Sequence, residues 1–264
     1  MASYSAKDVS TLRQMTGAGI LDCRNALEET GGDIEEAAKL LRERGLAGAA
    51  KRSDREASEG AVAVARSGDA AAVVELRCET DFVAKADEFV QLTDELAALV
   101  AAKGEDAASE LDGAIDGLRS TLKENISVGR VRRLVAQSGQ VLDTYLHQQA
   151  GRGVNGVIVV IEGGTDELAH DIAVHIAFTK PTYLSRDEVP ADEVAAERET
   201  LTTISRNEGK PEAAMEKIVE GRMNGWFKDR VLLDQSYVRD EKQTIAGMLG
   251  KARIVSFAQV VIGA

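Results

Sequence analysis

The chain is poor in the residues that staple a fold or carry covalent chemistry. Only two of its 264 residues are cysteine, Cys23 and Cys78, and no basic-then-apolar leader opens the sequence. A disulfide framework is therefore not expected, and both cysteines read as buried thiols of a cytoplasmic chain. No apolar run approaches the roughly 20 residues that span a bilayer, so no membrane role is expected. Positive charge is in deficit, with 32 Lys and Arg against 44 Asp and Glu, a net charge of −12. Phosphate affinity rests on clustered Lys and Arg, so direct nucleic-acid binding is disfavoured and a protein partner favoured. Aromatics make up 4% of the chain, so each of them, including the single Trp226, carries more information than usual.

Catalytic and ligand patterns are also missing. His170 and His175 lie five apart, which misses the i, i+4 spacing that puts two metal ligands on one helical face. Neither cysteine has a histidine beside it, and no Gly-x-Ser-x-Gly elbow occurs. Catalysis by Cys78 stays a formal alternative, because distant partners could converge on it, but its place in a strand pattern favours a packed thiol. Gly151, Gly153 and Gly156 spell G-x-G-x-x-G as letters. A dinucleotide site needs a helix after them, and the strand-like Val157-Ile158-Val159-Val160-Ile161 follows instead, so that reading is rejected. No cofactor and no metal are expected.

What is present is the composition of a globular chain, 44% hydrophobic and 29% charged, long enough for one large domain or two to three small ones. Ser5 with Asp8 forms a capping-box start, followed by Val9, Leu12 and Met15 on one helical face and a stop at Thr16-Gly17. A second helix runs through Ile20, Cys23, Ala26 and Leu27 to Gly31-Gly32. A third starts at Asp33 and runs to Gly45, so residues 1–45 read as a small three-helix bundle resembling the ubiquitin-associated fold. Residues 46–60 are small and charged without periodicity, a linker or solvated helix tail.

From residue 61 the pattern alternates. Val62 and Val64, a Ser67-Gly68-Asp69 turn and Val73 to Cys78 read as a hairpin, and a helix follows from Phe82 to about Ala102 with apolar positions at 82, 86, 89, 93, 96, 97 and 100. Strand, turn, strand, turn, helix then recurs between about 141 and 179. Two similar α+β subdomains with antiparallel strands, residues 61–140 and 141–264, sharing one sheet system, are the economical reading. Within the second, Ala191 to about Arg222 reads as two antiparallel helices with a thin apolar stripe, a hairpin projecting from the body. Trp226 and Phe227 are expected where the chain rejoins the core, and Ile254 to Ile262 as a last strand.

Thr80 or Asp81 is placed to cap the helix that begins at Phe82. Spacing puts Phe82 in phase with the buried stripe, as a core aromatic. The alternative is that the first turn overhangs the sheet edge and leaves Phe82 exposed beside Asp81, the arrangement of a partner anchor, and an aspartate awkward to bury favours it.

Two stretches carry a family resemblance. Leu12-Arg13-Gln14-Met15-Thr16-Gly17-Ala18-Gly19-Ile20-Leu21-Asp22-Cys23-Arg24-Asn25-Ala26-Leu27 resembles the first signature of the elongation factor Ts family, with Arg24 where lysine is usual. Glu75-Leu76-Arg77-Cys78-Glu79-Thr80-Asp81-Phe82-Val83-Ala84-Lys85 resembles the second, with Arg77 where asparagine is usual. Tyr145-Leu146-His147 before Gly-rich sequence matches a third family segment, with a spacing after His147 about two residues longer than usual. The resemblance covers essentially the whole chain and implies a guanine-nucleotide exchange factor for the GTPase elongation factor Tu, which makes and breaks no covalent bond. It implies that Thr80, Asp81, Phe82 and Val83 form a tip reaching toward the GTPase's magnesium site and that His147 presses near its phosphate-binding loop. Arg13, Ile20 and Leu21 would dock on the nucleotide-binding domain. On their own Ile20 and Leu21 read as bundle core, and one of the two should be exposed, because consecutive residues cannot both face inward fully. The helical hairpin supports self-association in some members, so a homodimer is among the expectations. An adaptor built on the N-terminal bundle is the rival class and leaves the Asp81-Phe82 tip without a role; an enzyme using Cys78 or His147 lacks a constellation.

Overall fold

The computed structural model describes residues 4–50 and 54–263; Met1–Ser3 of the N-terminal module, Lys51–Ser53 of the expected linker and Ala264 lie outside the described residues. Helix α1 (Ala6–Thr16) starts at Ser5, whose hydroxyl accepts the Asp8 N–H while the Asp8 carboxylate accepts the Ser5 N–H. Gly17 closes it in the left-handed region at φ +66, where a side chain would be strained. Helices α2 (Ile20–Glu29) and α3 (Ile34–Ala50) complete the bundle around Leu12, Cys23, Ala26, Leu27 and Ala37. Met15, expected on the buried face of α1, is largely exposed. The third helix does not stop at Gly45. A helical glycine costs about 1 kcal/mol against alanine, but here it allows close approach: a Cβ on Gly45 would fall 2.5 Å from the Ser120 hydroxyl.

The core is a four-layer stack. Strands β1 (Glu59–Ser67) and β2 (Ala70–Cys78) pair antiparallel about the expected turn, with Gly68 at φ +58. After the one-turn helix α4 (Asp81–Ala84), α5 (Asp87–Lys103) and α6 (Asp112–Leu122), β3 (Ser127–Val135) pairs with β2. The plan then repeats. Strands β4 (Gln140–Gln149) and β5 (Arg152–Glu162) form a hairpin, α7 (Asp166–Thr179) follows, and β8 (Arg253–Val261) returns to pair with β5. The repeated strand-strand-helix order read from the sequence is present, but not in one shared sheet system: each half forms its own three-stranded antiparallel sheet, β1-β2-β3 and β4-β5-β8.

Side-chain alternation assigns the layers. Ala72 and Val74 of β2 face Leu96, Ala97 and Val100 of α5, while Ala71 and Val73 face the second sheet, meeting Ile158 and Val160 of β5. Val157, Val159 and Ile161 of β5 face Ile172, Ala173 and Ile176 of α7. Two glycines of the rejected dinucleotide motif serve this stacking: a Cβ on Gly156 would fall 2.7–2.8 Å from Val73, Val62 and Val64 of the facing sheet, and one on Gly153 would collide with the Val62 carbonyl. Between the sheets Glu75 is buried. Its carboxylate accepts from Arg77 at 2.9 Å, from the Arg130 N–H at 3.0 Å and from the Arg130 guanidinium, which also donates to the Val261 carbonyl. Burial raises the Glu75 pKa, but these donors outweigh it and hold the carboxyl below its ordinary value.

Helices α8 (Ala191–Asn207) and α9 (Met215–Arg230) form the expected hairpin, longer on its second arm than the 191–222 read from the sequence. Trp226 and Phe227 do not mark a return to the core. They lie inside α9, and Phe227 continues the i, i+4 row Met215, Val219, Met223 into a separate cluster with Val189 and Val231. A small hairpin, β6 (Ser236–Tyr237) and β7 (Asp240–Thr244), and a short helix α10 (Ile245–Leu249) precede β8; the alternation there was too brief to read. No helix among the described residues is long and apolar enough to cross a membrane.

Candidate functional site

At the end of β2 the chain turns sharply. Thr80 is extended, at φ −125 and ψ 153, and its hydroxyl accepts the Val83 N–H at 3.4 Å to cap α4. After one turn, Ala86 returns to extended backbone and α5 starts afresh, so the single helix expected from Phe82 to Ala102 is two helices. The acidic pair Asp87-Glu88 at the second N-terminus is the signal that marked the break. The break decides the fate of Phe82. On a continuous helix it would share a face with Phe89; instead Phe89 is fully buried and Phe82 is 82% exposed. Ala84, buried beside Leu76, Cys78 and Phe89, anchors the turn from below. Phe82 is therefore not a core residue, and the exposed alternative holds.

The tip is clasped from outside its own segment. The Glu79 and Thr80 N–H groups both donate to Glu124 Oε2 at 3.0 Å, and the Thr80 hydroxyl donates to Glu124 Oε1 at 2.5 Å. The Glu79 carboxylate in turn accepts the Asn125 N–H at 2.7 Å. Asp81 pairs with Lys85 at 2.5 Å, and that hydrogen bond holds its carboxyl below the ordinary value. Cys78 lies just beneath, donating to the Thr80 carbonyl at 3.2 Å; burial pushes its thiol up to about 12. A thiol with so little thiolate at neutral pH is a poor nucleophile, which removes the ground for a catalytic Cys78.

His147 lies at the far end of the β4–β5 hairpin, opposite Asn155, at a bulge before Gln148. The Ala150-Gly151 turn beyond it takes positive φ at both residues, 52 and 82, as tight two-residue hairpin turns require. His147 is exposed and lines a cleft of about 600 Å³ with Arg152, Asn155, Phe178 and Lys180. Arg152 donates to the Gly60 carbonyl at 2.6 Å and to Glu59 at 2.8 Å, and its charge also helps lower the Asp81 pKa. Arg152 thus links the His147 hairpin to the end of the core that carries the tip. Arg152, Glu124 and Phe178 escaped the sequence reading. Phe178 left a legible trace, since it falls off the Leu168, Ile172, Ile176 stripe, and it is 78% exposed.

Arg13, Ile20 and Leu21 sit apart, on the bundle. Ile20 and Leu21 are both exposed, at 61% and 65%, where the sequence pointed to one exposed and one buried; neither belongs to the bundle core. Arg13 and Ile20 line a shallow cavity of about 440 Å³ with Val9 and Arg24. Arg24, at the position where the signature differs, donates to Glu28 one turn on, at 3.3 Å. The bundle meets the core at α6: Gly17 lies against Thr121, and Lys123 reaches Asp22 at 2.7 Å. Lys123 and Glu124 are neighbours in the chain, so one dipeptide touches both the residue after Leu21 and the clasped tip.

Comparison with known proteins decides the family. A model described as "Elongation factor TS" matches residues 79–264, beginning at the clasped tip itself. Elongation factor Ts of Kineococcus radiotolerans is 45% identical over 278 aligned positions, and that of Clavibacter michiganensis is equally close, each alignment covering all of both chains. Elongation factor Ts of Saccharopolyspora erythraea is 44% identical, covering all of this chain and 99% of its own. The chain belongs to the elongation factor Ts family. It is thereby a translation elongation factor, and the α+β fold with an N-terminal three-helix bundle is the one the resemblance implied. The full-length matches extend the relationship across residues 1–78, which the family model leaves out.

Proposed function

We propose that this elongation factor Ts family member binds elongation factor Tu and promotes its release of GDP. The observation that carries the reading is Phe82, a large aromatic held out in solvent on a capped single turn. Leaving such a side chain exposed forgoes about 1.5–3 kcal/mol of burial, which becomes available in a complex. A factor that binds the empty GTPase better than the GDP form must weaken GDP binding by the same ratio. Accelerating release about a thousandfold requires roughly 4 kcal/mol at the transition state. Phe82 wedging into the GTPase, with Asp81 disturbing the magnesium side, is of that order. Thr80 and Val83 hold the turn, and His147 pushes on the phosphate side.

In this reading residues 1–45 are the docking module, gripping through Arg13, Ile20 and Leu21, and the core carries the differential term. The test is stopped-flow release of labelled GDP from elongation factor Tu, titrated with the whole chain and with a chain lacking residues 1–50. The whole chain should accelerate release and prefer the nucleotide-free GTPase. The truncated chain should need more protein to reach a similar plateau. Equal affinity for the empty and GDP-bound forms would favour an adaptor, which the two exposed apolar residues Ile20 and Leu21 would serve equally well.

A further inference from the structure

The strand ladder stops short of the tip. Pairing of β2 with β1 ends at Cys78 opposite Glu59, and with β3 at Arg77 opposite Ser127, so the N–H groups of Glu79 and Thr80 have no partner in the sheet. Their acceptor comes from the connection between α6 and β3, where a single Glu124 oxygen takes both and the second takes the Thr80 hydroxyl. The exchange is mutual, since Glu79 accepts the Asn125 N–H and Arg55 flanks that carboxylate. Two segments about 45 positions apart thus hold each other through one carboxylate each.

We propose that Glu124 is a positioning residue for nucleotide exchange, fixing the angle at which the Thr80-Asp81-Phe82 turn leaves the sheet. The proposal rests on the exchange reading above. Three features separate it from ordinary surface bonding. Thr80 is at once the cap of α4 and the residue Glu124 grips by backbone and side chain, so loss of the carboxylate frees the hinge of the Phe82 turn. Among the described residues nothing in the tip replaces it, because Asp81 is engaged with Lys85 and the Thr80 hydroxyl donates to Glu124. The residue before Glu124, Lys123, sits in the left-handed region at φ 59 and reaches the bundle at Asp22, which fixes the clasp from its other side. Glu124 reaches no reacting atom; it acts through the turn.

The test compares Glu124→Ala and Glu124→Gln with the unaltered chain in stopped-flow GDP release at increasing factor, alongside thermal melting and amide hydrogen exchange. Glu124→Ala should melt within a few degrees of the parent, lose protection at the Glu79 and Thr80 amides, and lower the plateau rate at least tenfold, more than it shifts the half-saturating concentration. Glu124→Gln keeps an oxygen for the two backbone donors and should recover most of the plateau, which a change in charge alone would not allow. An unchanged plateau in Glu124→Ala, or unchanged amide protection, overturns the proposal. So does a loss accounted for by the unfolded fraction. If the unaltered chain itself leaves GDP release unaccelerated, the exchange reading falls first and the positioning role with it.

Discussion

Phe82 and Phe89 are seven positions apart, an interval that on one continuous helix puts two side chains on one face, yet one is bare and the other sealed. Truncating them should separate stability from activity. Phe89→Ala is expected to cost about 3–5 kcal/mol in urea unfolding, the usual range for emptying a buried aromatic site. Phe82→Ala should stay within about 0.5 kcal/mol of the parent and slow saturated GDP release at least tenfold. A strongly destabilised Phe82→Ala whose folded fraction exchanges normally would sink the wedge. The pair also shows what periodicity alone could not settle. Spacing found both aromatics, but the exposure of Phe82 goes with Ala84 seated beneath the turn and with the Glu124 carboxylate that grips Thr80 from 44 positions away, and no local pattern encodes either. For Ile20 and Leu21 the sequence reaches halfway: consecutive helical residues cannot share one buried face, so one must be exposed, but nothing local shows that both are.

His175 gives a pH prediction of the same grain. It is fully buried in α7, its Nε2 bonded to Gln235 at 2.9 Å and its Nδ1 accepting the Val238 N–H at 3.3 Å. Burial lowers its pKa below the ordinary 6.5, against a smaller opposing effect of Gln235. The unfolded chain therefore takes up a proton at a higher pH than the folded one. Stability should be insensitive to His175 above about pH 6.5 and fall as the pH drops below it, until the folded form protonates too. Urea titrations between pH 8 and 5 check this, and a profile flat across that range contradicts it. Cys78 adds little in that range: its folded thiol stays protonated, and the thiol of the unfolded chain begins to ionise only toward the upper end.

At the scale of elements, start and stop chemistry was the most readable part of the chain. The Ser5 and Asp8 box and the Gly17 stop are local, and they stand where the sequence put them. The run of α3 through Gly45 was not readable, because the glycine is there for a neighbour, Ser120, that only the tertiary fold supplies. The α8–α9 arm is a mixed case. Its two helices and thin stripe were evident, while the row from Met215 to Phe227 that gives it a cluster of its own emerged only once α9 was seen to continue past Arg222. Replacing residues 198–220 with a short Gly/Ser linker should leave the melting temperature within a few degrees, since it takes Met215 and Val219 from the arm's own cluster but keeps its root, Val189, Met223, Phe227 and Val231, and leaves the stacked sheets untouched. A fall of roughly 10 °C or more would make the outer arm part of the cooperative unit. Trp226, stacked edge-on to Phe227 at 5.1 Å and kept in this variant, reports by fluorescence whether the root survives.

At the scale of the whole molecule the decisive contact is sheet against sheet, and glycine makes it possible. Gly156 sits on β5 between Leu146 and Val260, with Val62, Val64 and Val73 above it. Gly156→Ala should cost about 1–3 kcal/mol in urea unfolding, because the new methyl would press on three branched side chains at 2.7–2.8 Å and the sheets would have to part. A neutral outcome would show that the stack has slack. The duplicated strand-strand-helix plan could be read from the sequence, since each half repeats its own periodicity. The face-to-face stacking could not, because the strand after Gly156 excludes a phosphate-binding loop but nothing local shows that Gly153 and Gly156 lie against another sheet.

The position of β5 also sets a clock for the molecule. It is flanked by β4 and β8 on its edges and covered by α7 and the other sheet on its faces, so its central amides have no local route to water. Their deuterium uptake should follow complete unfolding, while the Thr80 turn, tied by a few polar bonds at the rim, should open many times before the centre opens once. Exchange at the rim therefore reports on the Glu124 clasp alone, while exchange at the centre of β5 reports on the stability of the whole fold.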